Sequence, residues 1–97
     1  MTNAEPWQRD WGLRDQIRRA AVSIPSNIAE GDARSSDRDS IRFFRIALGS
    51  LAELETQIEI ANEIGYLSTE QLKETFAVTE PLGLRIGALI KARALDA

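Results

Sequence analysis

The sequence has 97 residues, contains no cysteine and no histidine, and carries a formal net charge of −3. The missing residue types exclude thiol nucleophiles, imidazole bases, zinc-finger sites and the Glu-x-x-His pairs of di-iron bundles. A chain of this length forms a single domain over residues 1–97 with a marginal core, so association with further copies is a natural way to bury more apolar surface.

The charge is unevenly distributed along the chain. Residues 1–48 hold eight arginines and seven acidic residues, whereas residues 49–97 hold four basic and eight acidic residues. The isoelectric point near 4.9 argues against a general nucleic-acid binder. The sequence has no apolar run long enough to span a bilayer, and its N-terminus has no basic segment followed by an apolar one. We therefore expect a cytoplasmic protein without membrane contact.

A first helix is predicted over residues 12–30, after a polar arm over residues 1–11. Asp10 can cap this helix by accepting a hydrogen bond from a free backbone N–H. Apolar residues then recur every three or four positions, which is the spacing of a helix face that packs on a core. They are Leu13, Ile17, Ala20, Ile24 and Ile28. Gly31 is expected to end the helix by adopting the left-handed conformation.

Pro25 lies inside the first predicted helix. It has no N–H, so the carbonyl of Ala21 loses its helical donor, and we expect a kink or a break near residues 23–24. Asn27 is expected to be partly buried, where it fixes helix register or satisfies the freed carbonyls. A small-ligand site is the alternative. We favour the structural role, because buried polar groups in bundles usually pair, and hypothesise that Asn27 specifies the assembly.

A second helix is predicted over residues 37–64, with Ser35 or Ser36 as its N-cap. Its apolar residues follow a strict three-four spacing, which is typical of bundle packing. They are Phe44, Ala47, Leu51, Leu54, Ile58 and Ala61.

A third helix is predicted over residues 69–95. Ser68 and Gln71 form a capping box at its start, and Pro81 should kink it. The sequence shows no β pattern. The predicted fold class is therefore all-α, an up-down antiparallel bundle with three long helices visible in this chain.

Two segments carry a family resemblance: QIRRAAVSIPSNIAEG over residues 16–31 and RFFRIALGSLAELETQIEIANEIGYL over residues 42–67. Together they resemble the four-helix-bundle proteins encoded in bacterial 23S rRNA intervening sequences, which are related to the accessory variability determinant of diversity-generating retroelements. The similarity covers residues 12–67, with a looser fit in the third helix. Within the first segment, the structural motif consists of Pro25, Asn27, Glu30 and Gly31.

The resemblance implies an up-down bundle that assembles as a ring, commonly a pentamer, without an established enzymatic activity. The retroelement relative is a basic scaffold that binds nucleic acid and a reverse transcriptase. Family members carry a further helix ahead of the position of Gly12. We therefore expect the chain to be a shortened member, or its start to be missing, with a groove where that helix belongs.

Five arginines are candidates for an RNA- or partner-binding face: Arg18, Arg19, Arg38, Arg42 and Arg45. The last three occur at i, i+4 and i+7 and share one face of the second helix, whereas the first two lie on the polar side of the first helix. Each arginine adds a salt-dependent contact if the face binds RNA. We favour a solvated face, or ion pairs with acidic residues of a neighbour, because acidic residues lie among these arginines.

Glu55, Glu59 and Glu63 form an acidic row at i, i+4 spacing, where like charges repel mildly. A metal site is one interpretation, but the sequence offers no histidine to complete it. Pairing with arginine residues of another copy is the interpretation that we favour.

Together with the resemblance, which implies a pentamer, these observations predict a non-enzymatic, self-associating helical-bundle scaffold that binds a protein or RNA partner. The alternative is a nucleic-acid-binding accessory protein that uses the arginine face of the first two helices. No catalytic, cofactor-binding or metal-binding residue is predicted, no cofactor is expected, and no small-molecule substrate is evident.

Overall fold

Three long helices make up the described part of the chain. The computed structural model describes residues 10–96, which form α1 (Trp11–Asp32), α2 (Asp37–Glu63) and α3 (Thr69–Asp96). This range contains no strand, so the all-α prediction with three long helices is confirmed. The predicted arm over residues 1–11 overlaps α1 by one residue, because α1 begins at Trp11. Residues 1–9 of that arm lie outside the described residues.

Side-chain caps fix the start of each helix. The Oδ1 of Asp10 accepts the Leu13 N–H at 3.0 Å, and the Oγ of Ser36 accepts the Asp39 N–H at 3.2 Å. At the start of α3, the Ser68 N–H donates to Gln71 Oε1 at 2.9 Å, and the Gln71 N–H donates to Ser68 Oγ at 3.0 Å. Each cap satisfies backbone donors that have no intrahelical partner, which is why these residues set the helix boundaries.

The central helix, α2, packs against both α1 and α3, while the Cα atoms of α1 and α3 stay more than 8 Å apart throughout residues 10–96. Two apolar clusters fill the space along α2, and burial of their side chains is the main source of stability. One cluster consists of Ile24, Phe44, Ala47, Leu51 and Ile86, and the other of Ile17, Ile58, Ala61 and Leu67. Among the described residues, no helix has an apolar segment long enough to cross a bilayer.

Both internal prolines lie within unbroken helices. α1 continues through Pro25 and α3 through Pro81, so the predicted break near residues 23–24 is wrong. A proline removes one hydrogen bond of the helix, whereas buried residues hold α1 on α2 at both sides of Pro25, with Ile24 only 4% exposed and Gly31 also buried. This packing therefore outweighs the loss of the hydrogen bond at Pro25. The kinks predicted at Pro25 and Pro81 stay predictions.

Gly31 does not end its helix. α1 continues to Asp32, and the positive-φ glycine of the described residues is Gly65, with φ of 86°. A Cβ at Gly31 would lie 2.6 Å from Cε1 and 2.8 Å from Cδ1 of Phe44. The prediction of a left-handed stop is therefore wrong: the missing side chain at position 31 makes room for a buried ring of α2.

Candidate functional site

The three arginines of α2 line one concave surface. This concavity has a volume of 440 Å³ and is formed by Ser36, Arg38, Asp39, Ile41, Arg42 and Arg45. The Nε of Arg42 lies 3.5 Å from Oδ1 of Asp39, and its guanidinium lies 4.5 Å from the Phe43 ring centre. Arg38 and Arg45 are exposed and form no ion pair with another described residue. The concavity therefore presents positive charge to solvent.

The two arginines of α1 are not part of this concavity. Ser23 of α1 and Ser50 of α2 are hydrogen-bonded at 2.7 Å, so they lie at the same height along the two helices. Arg19 lies four residues before Ser23, and Arg42 lies eight residues before Ser50. Because later residues of α1 contact earlier residues of α2, the two arginines lie on opposite sides of this contact. This separation corresponds to about 18 Å along the helix axis. Arg19 pairs instead with Asp15 at 3.0 Å. Arg18, next to it, is exposed on α1.

The acidic row lies toward the other end of α2. Glu55 lines a concavity of 470 Å³ between α2 and α3, together with Ala52 and Glu80. Glu59 and Glu63 line the next one, of 360 Å³, which also contains Lys73 and Phe76 of α3. None of the three row members has an ion-pair partner among residues 10–96. In the same range, no group of three or more acidic side chains is placed to hold a metal ion.

Asn27 belongs to a polar network between α1 and α2. Its Nδ2 donates to the carbonyl oxygen of Ser23 at 2.8 Å and to the Ser23 hydroxyl at 3.0 Å. That hydroxyl also shares a hydrogen bond with Ser50. The half-buried amide therefore binds the carbonyl of Ser23 rather than the carbonyl of Ala21, which Pro25 deprives of its donor.

The remaining members of the predicted motif are on the surface of α1. Glu30 accepts a hydrogen bond from Nη2 of Arg34 at 2.7 Å, and both residues are exposed. Pro25 is exposed as well. The four residues of the motif therefore have three kinds of surroundings. Pro25 and Glu30 lie on the surface, Asn27 belongs to the hydrogen-bond network between α1 and α2, and Gly31 makes room for Phe44.

Two long-range polar contacts hold the ends of the bundle, and the sequence gives no signal for either. The guanidinium of Arg93 donates to Asp37 Oδ1 and Ser40 Oγ, each at 3.3 Å, and to Asp32 Oδ1 at 3.4 Å. It thereby ties α3 to the turn between α1 and α2.

At the opposite end, the hydroxyl of Tyr66 donates to Asp10 Oδ2 at 3.0 Å. This hydrogen bond to the carboxylate, together with partial burial and the negative charge of Asp10, raises the pKa of Tyr66 above 10.0. Asp10 therefore both caps α1 and joins it to the α2–α3 turn.

An apolar groove of 360 Å³ separates α1 from α3. Its main lining residues are Ala21, Ile24, Pro25, Ile28, Leu54, Val78, Thr79 and Leu82. Val78 is 67% exposed, and the buried hydroxyl of Thr79 makes no hydrogen bond with any described residue. An apolar surface between two helices, above a third, is a feature that soluble domains normally cover.

The described helices define a small all-α protein in which a central helix carries two flanking helices and leaves an apolar groove between them. The chain belongs to the 23S rRNA-intervening sequence protein family, whose model matches residues 1–88. The family resemblance deduced from the segments at residues 16–31 and 42–67 is confirmed. No curated protein matches the chain.

Proposed function

We propose that this protein is a non-enzymatic, self-associating scaffold with an up-down antiparallel order of helices, which assembles as a closed ring and binds a protein or RNA partner. The contacts between α1 and α2 support the antiparallel order. The hydroxyl of Ser40, early in α2, donates to the carbonyl of Gly31 at the end of α1, whereas Ser50, further along α2, is hydrogen-bonded to Ser23, earlier in α1. Five copies are the favoured number, in line with the resemblance to ring-forming bundles.

The groove between α1 and α3 is the observation that carries the proposal. Three helices leave this apolar surface open to solvent, and a surface of a neighbouring copy gains free energy by covering it. A ring contact is heterologous, because the groove of one copy receives a different surface of the next copy. The groove has the chemistry for such a contact, with one buried hydroxyl, on Thr79, among its apolar side chains.

Light scattering on a sizing column tests the ring. The wild-type protein is expected to elute as a discrete assembly of five copies, or of ten when two rings join. Val78→Asp places a charge at the groove and should reduce the mass to that of smaller species. Leu95→Asp, a matched change at a residue 87% exposed, should leave the mass unchanged. A monomeric wild-type protein, or an assembly whose mass is unchanged by Val78→Asp, contradicts the proposal.

RNA binding by the arginines of α2 is the second candidate function. The shared concavity of Arg38, Arg42 and Arg45 favours it, because three guanidinium groups in reach of one ligand suit a phosphate backbone. Three phosphate contacts should lower affinity for a structured RNA by about 40-fold when salt rises fourfold, from a slope of about 0.9 per contact. An affinity for RNA that does not change with salt, or that is unchanged in the double variant Arg38→Ala and Arg45→Ala, contradicts this function.

A further inference from the structure

One face of α2 carries a second regular pattern besides the buried one. Its eight residues are spaced alternately by four and three positions: Arg38, Arg42, Arg45, Gly49, Ala52, Thr56, Glu59 and Glu63. We call this set the α2 stripe. A coiled-coil seam has the same alternation, but its residues are apolar, whereas five of these eight are charged. At 3.6 residues per turn, the stripe lies roughly 160° around α2 from the buried line and extends over about 37 Å.

Every residue of the α2 stripe is exposed, so neither α1 nor α3 covers it. Only Arg42 has an ion-pair partner within residues 10–96, the neighbouring Asp39 at 3.5 Å. Two isoleucines adjoin the stripe: Ile46 is 42% exposed and Ile60 is 44% exposed. The stripe therefore offers unpaired charges with apolar surface beside them, which a single copy leaves in water.

The stripe is charge-complementary to itself. Its first three residues are basic, its last two are acidic, and its centre is small. When the stripe is laid against a copy that runs in the opposite direction, with the centre between residues 50 and 51, the facing residues are Arg38 and Glu63, Arg42 and Glu59, Arg45 and Thr56, and Gly49 and Ala52. Opposite charges meet at both ends, and two small residues meet at the crossing.

Gly49 has no role within one copy that explains it. A Cβ built at this position meets nothing within 4 Å, unlike the Cβ built at Gly31. Glycine is also the poorest helix former after proline, so its place in the middle of α2 disfavours the helix. At the crossing point of two helices, the missing side chain lets the backbones approach closely.

We propose that the α2 stripe is an interface between two copies of this chain, packed antiparallel about a two-fold axis at residues 50–51. Charge complementarity along the stripe identifies the partner as a second copy. The interface extends the proposed self-association, on which it rests, but it uses a surface distinct from the α1–α3 groove. A two-fold contact joins copies in pairs and leaves a ring contact free, so it produces a dimer alone or two joined rings.

Charge-reversal variants test this pairing. Arg42→Glu places acidic side chains at both positions of the Arg42–Glu59 pair, and Glu59→Arg places basic side chains there. Each variant alone should weaken the pairing tenfold or more, because like charges then face each other. In an equal mixture, each altered side chain meets the opposite charge on the other variant. The mixture should therefore regain association, with one copy of each variant per pair, as measured by light scattering and native mass spectrometry.

Matched controls carry the same charge changes outside the stripe. Arg85→Glu and Glu74→Arg, both on α3, alter exposed residues and should associate as the wild type does, alone and mixed. Association of the wild type should also weaken as salt rises. A mixture that fails to regain association overturns the pairing, as does wild-type-like association of Arg42→Glu alone. Loss of RNA binding in Arg42→Glu, with its mass unchanged, overturns the pairing in favour of an RNA site.

The mass of the wild type separates this proposal from the ring. Ten copies support both contacts. Two copies support the α2 stripe and contradict the ring, whereas five copies support the ring and contradict the stripe. A single copy contradicts both.

Discussion

The two faces of α2 have the same residue spacing and opposite chemistry. On the face that packs against α1 and α3, residues spaced by three and four positions are buried, and Phe44, Ala47 and Ile58 are 0% exposed. On the α2 stripe, the same alternation carries charges and small residues that stay exposed. Any face of a helix shows this alternation, so the spacing alone does not indicate a contact. The residue types at those positions distinguish the face that packs within the chain from the face that we infer joins two chains.

Truncation of the buried face should have the largest effect on stability. Phe44→Ala is expected to lower the free energy of unfolding by about 3–5 kcal/mol, because it leaves a cavity between α2 and its neighbours. Phe43→Ala is the matched control, since Phe43 is only half-buried, between the guanidinium groups of Arg34 and Arg42. Chemical denaturation measures both. Equal losses for the two variants would contradict the assignment of the buried face.

The two helical glycines sharpen the comparison. Gly31→Ala should lower the free energy of unfolding by about 1–3 kcal/mol, because its Cβ would overlap the Phe44 ring. Gly49→Ala should raise it by about 0.5–1 kcal/mol, because alanine is the better helix former and its Cβ meets nothing in the same copy.

Thermal or chemical unfolding of dilute protein, where copies are separated, measures both glycine variants. A destabilising Gly49→Ala would mean that position 49 is packed within one copy.

Asn27→Leu should have a moderate effect on the α1–α2 contact. It removes the donor to Ser23 and should lower the free energy of unfolding by about 1 kcal/mol. The hypothesis that Asn27 specifies the assembly further predicts a change in the number of copies, which light scattering measures. Unchanged stability together with unchanged mass would contradict that hypothesis.

Tyr66→Phe should have the smallest effect, and one that depends on pH. The raised pKa of Tyr66 means that the folded state retains the phenol proton more tightly than the unfolded state. The stabilisation is therefore complete below pH 10 and is lost as the pH rises through the pKa of the folded state. The melting temperature of Tyr66→Phe should be lower than that of the wild type at neutral pH, and this difference should shrink above pH 10. A constant difference contradicts the Asp10 bond.

Local signals in the sequence predict the helices well, because each cap acts within three residues. Asp10, Ser36 and the Ser68–Gln71 pair act as predicted. The spacing of apolar residues likewise predicts the buried line of α2.

The polar contacts between helices have no such signal. Ser23 and Ser50 are 27 residues apart, and Arg93 and Asp37 are 56 apart. Gly31 misled the prediction, because a local rule assigns glycine to a helix end, whereas its neighbour across the bundle determines its role. In the sequence, the α2 stripe is visible only as charged and small residues along one helix face, and the exposure of its residues shows that neither α1 nor α3 covers it.

The mass of the wild-type protein in solution, measured by light scattering at low and high salt, tests the account most directly. We predict ten 10.8 kDa copies at low salt, as two rings joined through the α2 stripe, with a lower mass at high salt as the charged ends of the stripe are screened. A single copy at every protein concentration, or an odd-numbered assembly that ignores salt, would contradict the pairing of α2 with α2.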